Sequence, residues 1–276
     1  MNSNEITILK KIVDVSDRLI TPYFQFIFCY FSFFVKVSDI SVILENFKLK
    51  EITMVNKVAW ITGAGSGIGE ASAIKLSEEG FIVVLSGRTK EALDTVASKC
   101  EGQVSVKPLD VSNSEDVKGV FQNIISDYGR IDVLVASAGL NTKNRNWHNV
   151  SEEDFDQVIK IDLNGVFYTN RLVLEKMKEQ REGLIINISS WAGKYVTTLT
   201  GPAYTAAKHG VNALTEGINM EAGHFGVRAC AICPGEVATP ILDKRPIPVS
   251  KEDKEKMVQP EDCAETVAFL AKLPPR

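Results

Sequence analysis

From position 58 onward the chain alternates short apolar runs with longer stretches in which apolar residues recur three or four apart. The runs at 58–61, 81–86, 103–109, 131–136, 183–189 and 226–233 predict strands. The stretches after the first run through residue 79, then 89–99, 115–126 and 203–222, predict helices. Ser151-Glu-Glu-Asp154 is a capping-box pattern that opens a further long helix, and Pro260 stands in the first turn of a last one. Strictly alternating strands and helices predict one doubly wound α/β domain, a parallel sheet with helices on both faces. The run at 183–189 is almost wholly apolar, as a central strand buried on both sides must be.

The first strand runs straight into Gly63, Gly65, Gly67 and Gly69, and a helix begins at once. Glycine permits a backbone turn with positive φ and lets a phosphate approach closely. The free amides of a helix N-terminus, here around Ser66 and Ile68, then face a negative charge. A tight packing turn is the bland alternative, but strand and helix context points to a dinucleotide site. The second strand ends in Ser86-Gly87-Arg88-Thr89, where such a site discriminates the adenosine ribose. An acid there would repel a 2′-phosphate. Arg88 attracts one, which favours NADP(H) over NAD(H), unless the arginine only stacks on adenine or caps its own helix.

Four further strand ends carry candidate ligand contacts, because ligands collect at the carboxyl edge of a parallel sheet. Asp110 and Val111 close the third strand and face an adenine, or Asp110 caps the next helix. Small residues at Ala136-Ser137-Ala138-Gly139 would let a cofactor lie against the backbone. Ser190 follows the fifth strand. Pro234-Gly235, with Val237 and Thr239 beyond, follows the sixth and presents groups to a nicotinamide amide, or is a plain turn. The polar segment 241–257 is then a cover over the substrate.

Tyr204 and Lys208 are four apart within a predicted helix and so share a face. A free phenol has a pKa of roughly 10, and an adjacent ammonium favours its ionised form. The pair alone is commonly an amphipathic surface feature. With a dinucleotide turn upstream and Ser190 before it, the pair becomes a proton-transfer site. Asn164 and Gly165, two poor helix formers side by side, predict a functional kink in the long helix.

Composition narrows the field. The 276 residues are 45% hydrophobic and 24% charged with a net charge of −4, so nothing basic argues for nucleic acid. Five irregularly spaced cysteines give no disulfide framework and fit a reducing, cytoplasmic setting. Cys230 and Cys233 resemble a redox or zinc pair, yet three apart on a strand they point to opposite faces and read as packing. The three histidines show no metal-ligand spacing. Residues 1–53 differ in character: an uncharged aromatic run at 19–35 is at the short limit for a membrane helix. A membrane anchor and a signal peptide are alternatives. The preferred expectation is translation from Met54, with 1–53 an extension outside the fold.

These residues together resemble the short-chain dehydrogenase/reductase family over about 55–276. Thr62-Gly-Ala-Gly-Ser-Gly-Ile-Gly69 looks like its cofactor turn, and Ile188-Ser-Ser-Trp-Ala-Gly193 with Tyr204 and Lys208 like its catalytic segment. The resemblance implies a tetrad of Asn164, Ser190, Tyr204 and Lys208, a nicotinamide cofactor, a small carbonyl or alcohol substrate and a homo-oligomer. Two departures stand out: Ala136-Ser137-Ala138-Gly139 where the family has Asn-Asn-Ala-Gly, and the absence of a seventh strand after the last helix. A non-catalytic nucleotide binder of the same fold and a membrane-anchored reductase of lipid-like substrates are the rival readings.

Overall fold

The computed structural model describes residues 57–274. The aromatic run at 19–35, the extension 1–53 and the start at Met54 lie outside the described residues. The chain runs β1 (Val58–Thr62), α1 (Gly67–Glu78), β2 (Ile82–Ser86), α2 (Lys90–Ala97), β3 (Val104–Val106), α3 (Ser114–Tyr128), β4 (Val133–Ala136), α4 (Glu152–Ile159), a π turn (Lys160–Asn164), α5 (Gly165–Gln180), β5 (Gly183–Ile188), α6 (Gly201–Ala222), β6 (Val227–Ile232), α7 (Lys251–Lys256) and α8 (Pro260–Lys272). Every strand pairing is parallel, and the order is β3-β2-β1-β4-β5-β6. Among the described residues the sheet therefore has six strands, all anticipated from the apolar runs. β3 is shorter than the predicted 103–109, which contains Pro108, a residue with no N–H for the ladder.

Alternate strand residues feed two cores. Val58, Trp60, Ile82, Val84, Leu134 and Ile185 pack with Val117 and Ile124 of α3 and Val173 and Met177 of α5. Ala59, Ile61, Val83, Leu85, Val135 and Ile186 pack with Leu76 of α1, Leu93 of α2 and Val267 of α8. This two-sided burial is why the strands read as continuous apolar runs rather than alternating ones. Polar contacts are set inside the core as well: the indole N–H of Trp60 donates to the buried Ser86 hydroxyl at 2.9 Å, and the Asn187 amide to the Thr215 hydroxyl at 2.9 Å.

The sheet's outer side at β6 is closed locally by a side chain. Asn219 of α6 donates its amide N–H to the Ala229 carbonyl and accepts from the Ala229 N–H, each at 2.8 Å. The kink expected at Asn164 and Gly165 is present as the π turn, one widened turn between α4 and α5. Among the described residues no helix is long and apolar enough to cross a membrane.

Candidate active site

Strand order reverses between β1 and β4, so the loops leaving their carboxyl ends part and open a crevice. The cleft there is about 550 Å³. Gly63, at φ +66°, turns the chain out of β1 so tightly that a Cβ would lie 2.7 Å from the Ala138 amide nitrogen. Gly67, Ile68 and Gly69 then start α1, and the capping residue Ser66 accepts no side-chain hydrogen bond from its amides. The amides at the head of α1 are thus left for a ligand, while the Ala64 amide of the turn donates to the Ser86 carbonyl at 3.0 Å. A Cβ on Gly67 would meet the Thr239 methyl at 3.0 Å, which brings the segment after β6 over the turn. Gly63, Ser66, Gly67, Ile68, Arg88, Asp110, Val111, Ala138, Gly139, Pro234, Gly235, Val237 and Thr239 all line the cleft. Gly69 lies behind the turn, where a Cβ would strike the Gly63 carbonyl at 2.2 Å.

Asp110 is not the cap of α3. That role belongs to Asn113, whose side-chain oxygen accepts from the Glu115 and Asp116 amides. Asp110 instead accepts from the Ser112 amide at 2.9 Å and faces the cleft. Burial opposes its charge, but Ser112, with Arg88 and Lys160 nearby, holds its carboxyl below the usual value.

Ser190 follows β5 in extended conformation, and its hydroxyl accepts from the Ala192 amide at 3.2 Å. Tyr204 and Lys208 project from one face of α6 into the same cleft, with the Lys208 ammonium 5.4 Å from the Tyr204 ring centre. Lys208 is 4% exposed and donates to the Ile188 carbonyl at 3.0 Å. Burial opposes its charge, but Tyr204 and Asp162 outweigh that and hold it above the ordinary lysine value. Tyr204 is raised as well. Burial pushes its phenol up and Asp162 adds to the push, while Lys208, Ser190 and Arg145 pull it back only in part.

One expected residue is not brought here. Asn164 ends the π turn and does not line the cleft; Asp162, two residues earlier, does. Two positions along a helical turn carry a side chain to the other side, so only one of them can face Lys208. Asp162 is fully buried; its Oδ1 accepts from the Leu140 amide at 2.8 Å, and its Oδ2 lies 3.5 Å from the Lys208 ammonium without a hydrogen bond. Burial pushes its pKa up to about 6, against the pull of Lys208 and the Leu140 amide. An acid inside the apolar stretch Val158-Ile159-Lys160-Ile161-Asp162-Leu163 was the available signal. Arg145 had no such signal: it sits in the polar loop after β4, yet is 6% exposed and lines the cleft.

Cys100, Cys230, Cys233 and Cys263 are free, and among the described residues no group of acids, cysteines and histidines is arranged to hold a metal.

The short chain dehydrogenase family model matches residues 57–247. The chain belongs to the short-chain dehydrogenase/reductase family. Among its relatives is the 3-oxoacyl-[acyl-carrier-protein] reductase of Thermotoga maritima, 35% identical over 223 residues that span 78% of this chain and 90% of that one. The alcohol dehydrogenase of the archaeon Thermococcus sibiricus, solved with 5-hydroxy-NADP, is 32% identical with a TM-score of 0.71, covering 79% of this chain and 92% of that one. The 3-ketoacyl-(acyl-carrier-protein) reductase of Brucella melitensis, solved with NADH, is 29% identical with a TM-score of 0.72, covering 80% and 95%. This short-chain dehydrogenase/reductase is accordingly an oxidoreductase with an NAD(P)-type cofactor. Its glycine turn, with no room for side chains and free amides at the head of α1, fits such a dinucleotide.

Proposed function

We propose that this oxidoreductase interconverts a small carbonyl compound and its secondary alcohol, with NADP(H) preferred and Tyr204 as the proton-transfer group. When bound, the nicotinamide supplies or accepts the hydride. The amides of Gly63, Ser66, Gly67 and Ile68 would hold its pyrophosphate, while Gly69, expected in the same role, lets α1 pack behind the turn. Arg88 would pair with a 2′-phosphate, Asp110 and Val111 would border the adenine, and Ala138 and Gly139 would floor the site. Pro234, Gly235, Val237 and Thr239 would meet the carboxamide end, and Lys208 the ribose.

Reduction needs a proton on the carbonyl oxygen, and oxidation needs the reverse. Tyr204 gives that proton or takes it. Ser190 donates a hydrogen bond to the same oxygen and polarises it. Lys208 stabilises the phenolate left on Tyr204, with Asp162 behind it in the fourth place first expected of Asn164. A phenol held above its ordinary pKa carries its proton at neutral pH, the form that reduction requires.

The observation that carries this reading is the convergence of Tyr204, Lys208 and Ser190 on the cleft that also holds the glycine turn. The test is the full chain titrated with NADPH and NADH, followed by a carbonyl panel. Turnover that falls by about 10²–10⁴ in Tyr204→Phe, with nucleotide affinity unchanged, supports it. Near-normal turnover in that variant overturns it.

A further inference from the structure

The cleft continues past Tyr204 into a region bordered by Arg145, Lys244, Arg245, Glu236, Trp191 and Leu199. Three cations there face one carboxylate, and that carboxylate is committed: Glu236 accepts from Arg245 at 2.8 Å. Arg145 is left over. Its guanidinium is buried, and among the described residues no Asp or Glu lies within 4 Å of it. Buried charges are ordinarily paired with an opposite charge, so this one stands out.

Neutral oxygens hold Arg145 in place. Its Nε donates to the Thr142 carbonyl at 2.7 Å, one terminal nitrogen to the Lys244 carbonyl at 2.6 Å, and the other to the Leu199 carbonyl at 3.5 Å. The loop around it is built to match. Asn141 is buried, donates to the Thr200 carbonyl at 3.0 Å and accepts from the Thr142 amide at 2.8 Å. Gly201, at φ +74°, comes so close that a Cβ would lie 2.0 Å from the Arg145 carbonyl oxygen. A guanidinium has five N–H donors. Three are used, which leaves one on each terminal nitrogen, and the two oxygens of a carboxylate offer an acceptor for each.

We infer that Arg145 is the receptor for a carboxylate on the substrate, so that the compound reduced is a short oxo acid rather than a neutral ketone. The inference rests on the carbonyl-reductase reading above and assigns the chemical class of its substrate. Burial and the like charge of Arg245 both disfavour the charge on Arg145, and an incoming anion relieves both. Arg145 and Tyr204 line the same cleft, so an anion held by Arg145 would lie in the pocket that also holds the proton-transfer group. Lys244, at the rim, adds attraction for an approaching anion but stands exposed.

The test uses the full chain with NADPH and matched pairs of 2-, 3- and 4-oxo acids and their methyl esters. The expected result is a kcat/KM for an acid at least about tenfold above that of its ester. Arg145→Met brings that ratio to about one, the acid losing about tenfold more than the ester, and Arg145→Lys restores part of the ratio. A purely structural role for Arg145 lowers acid and ester alike and overturns the inference, as does an ester-to-acid ratio of one in the unaltered enzyme. Better turnover of hydroxyacetone phosphate than of every oxo acid overturns the carboxylate assignment. Should no carbonyl be turned over, the reductase reading fails separately. Calorimetric titration with butyrate then decides: binding lost in Arg145→Met supports the site, and equal or absent binding overturns it. Where Arg145→Met does not fold, Arg145→Lys and Arg145→Gln carry the same comparison.

Discussion

The Asp162 carboxylate stands 3.5 Å from the Lys208 ammonium, and both are sealed from solvent. The contact does not make Asp162 a comfortable anion. Its pKa of about 6 lies above the ordinary 3.8 even with Lys208 beside it, so burial costs its charge more than the ion pair returns.

That imbalance has a pH signature. The folded protein holds the Asp162 proton up to about pH 6 and the unfolded chain releases it near 3.8, so stability falls as pH rises through that window and then levels. The size is on the order of 3 kcal/mol at neutral pH, the attraction of Lys208 already included. Asp162→Asn keeps an acceptor for the Leu140 amide and removes the charge. Thermal melts should show a higher Tm for it above pH 7 and no slope from Asp162 between pH 4 and 6. Because Asp162 also pushes the Tyr204 phenol up, the same variant should move the alkaline limb of the activity profile to lower pH.

Gly63→Ala should damage the turn in two ways. Its φ of +66° strains any side chain, and the new methyl would press on the Ala138 backbone at 2.7 Å, separating the ends of β1 and β4. We expect about 1–3 kcal/mol of lost stability in urea denaturation. Nucleotide affinity, read by nicotinamide fluorescence, should fall by more than the stability loss alone accounts for.

Arg88 is exposed at the cleft wall, so its replacement tests recognition without a folding penalty. Arg88→Ser should weaken NADPH binding about tenfold or more and leave NADH binding nearly unchanged. Equal losses for the two nucleotides would assign Arg88 to adenine stacking instead.

Trp60→Phe removes the indole donor and strands the Ser86 hydroxyl inside the sheet. Guanidinium unfolding should record a loss of about 1–3 kcal/mol with little change in kcat, since neither residue lines the cleft.

The strands were legible because each is buried on two faces and leaves an uninterrupted apolar run, and the helices because their apolar residues recur on one side. The glycine turn was legible because only glycine fits a positive φ against a neighbouring backbone. The spacing of Tyr204 and Lys208 fixed their common face through helix geometry alone. Helical spacing did not say which of Asp162 and Asn164 faces inward, because a π turn changes the phase of a helix; the acid among the apolar residues of 158–163 was the one hint. Arg145 was hidden for a different reason. Its partners are backbone carbonyls from 142, 199 and 244, distant in sequence and invisible in side-chain pattern.

The Asn219 amide, bonded both ways to Ala229, imitates a single rung of a neighbouring strand. Any chain that would add to this side of the sheet meets a ladder already filled near its middle and must first dislodge α6 side-chain contacts to zip along it. Among the described residues, the open backbone of β6 is thus interrupted at Ala229 by one side chain of the helix that also carries Tyr204.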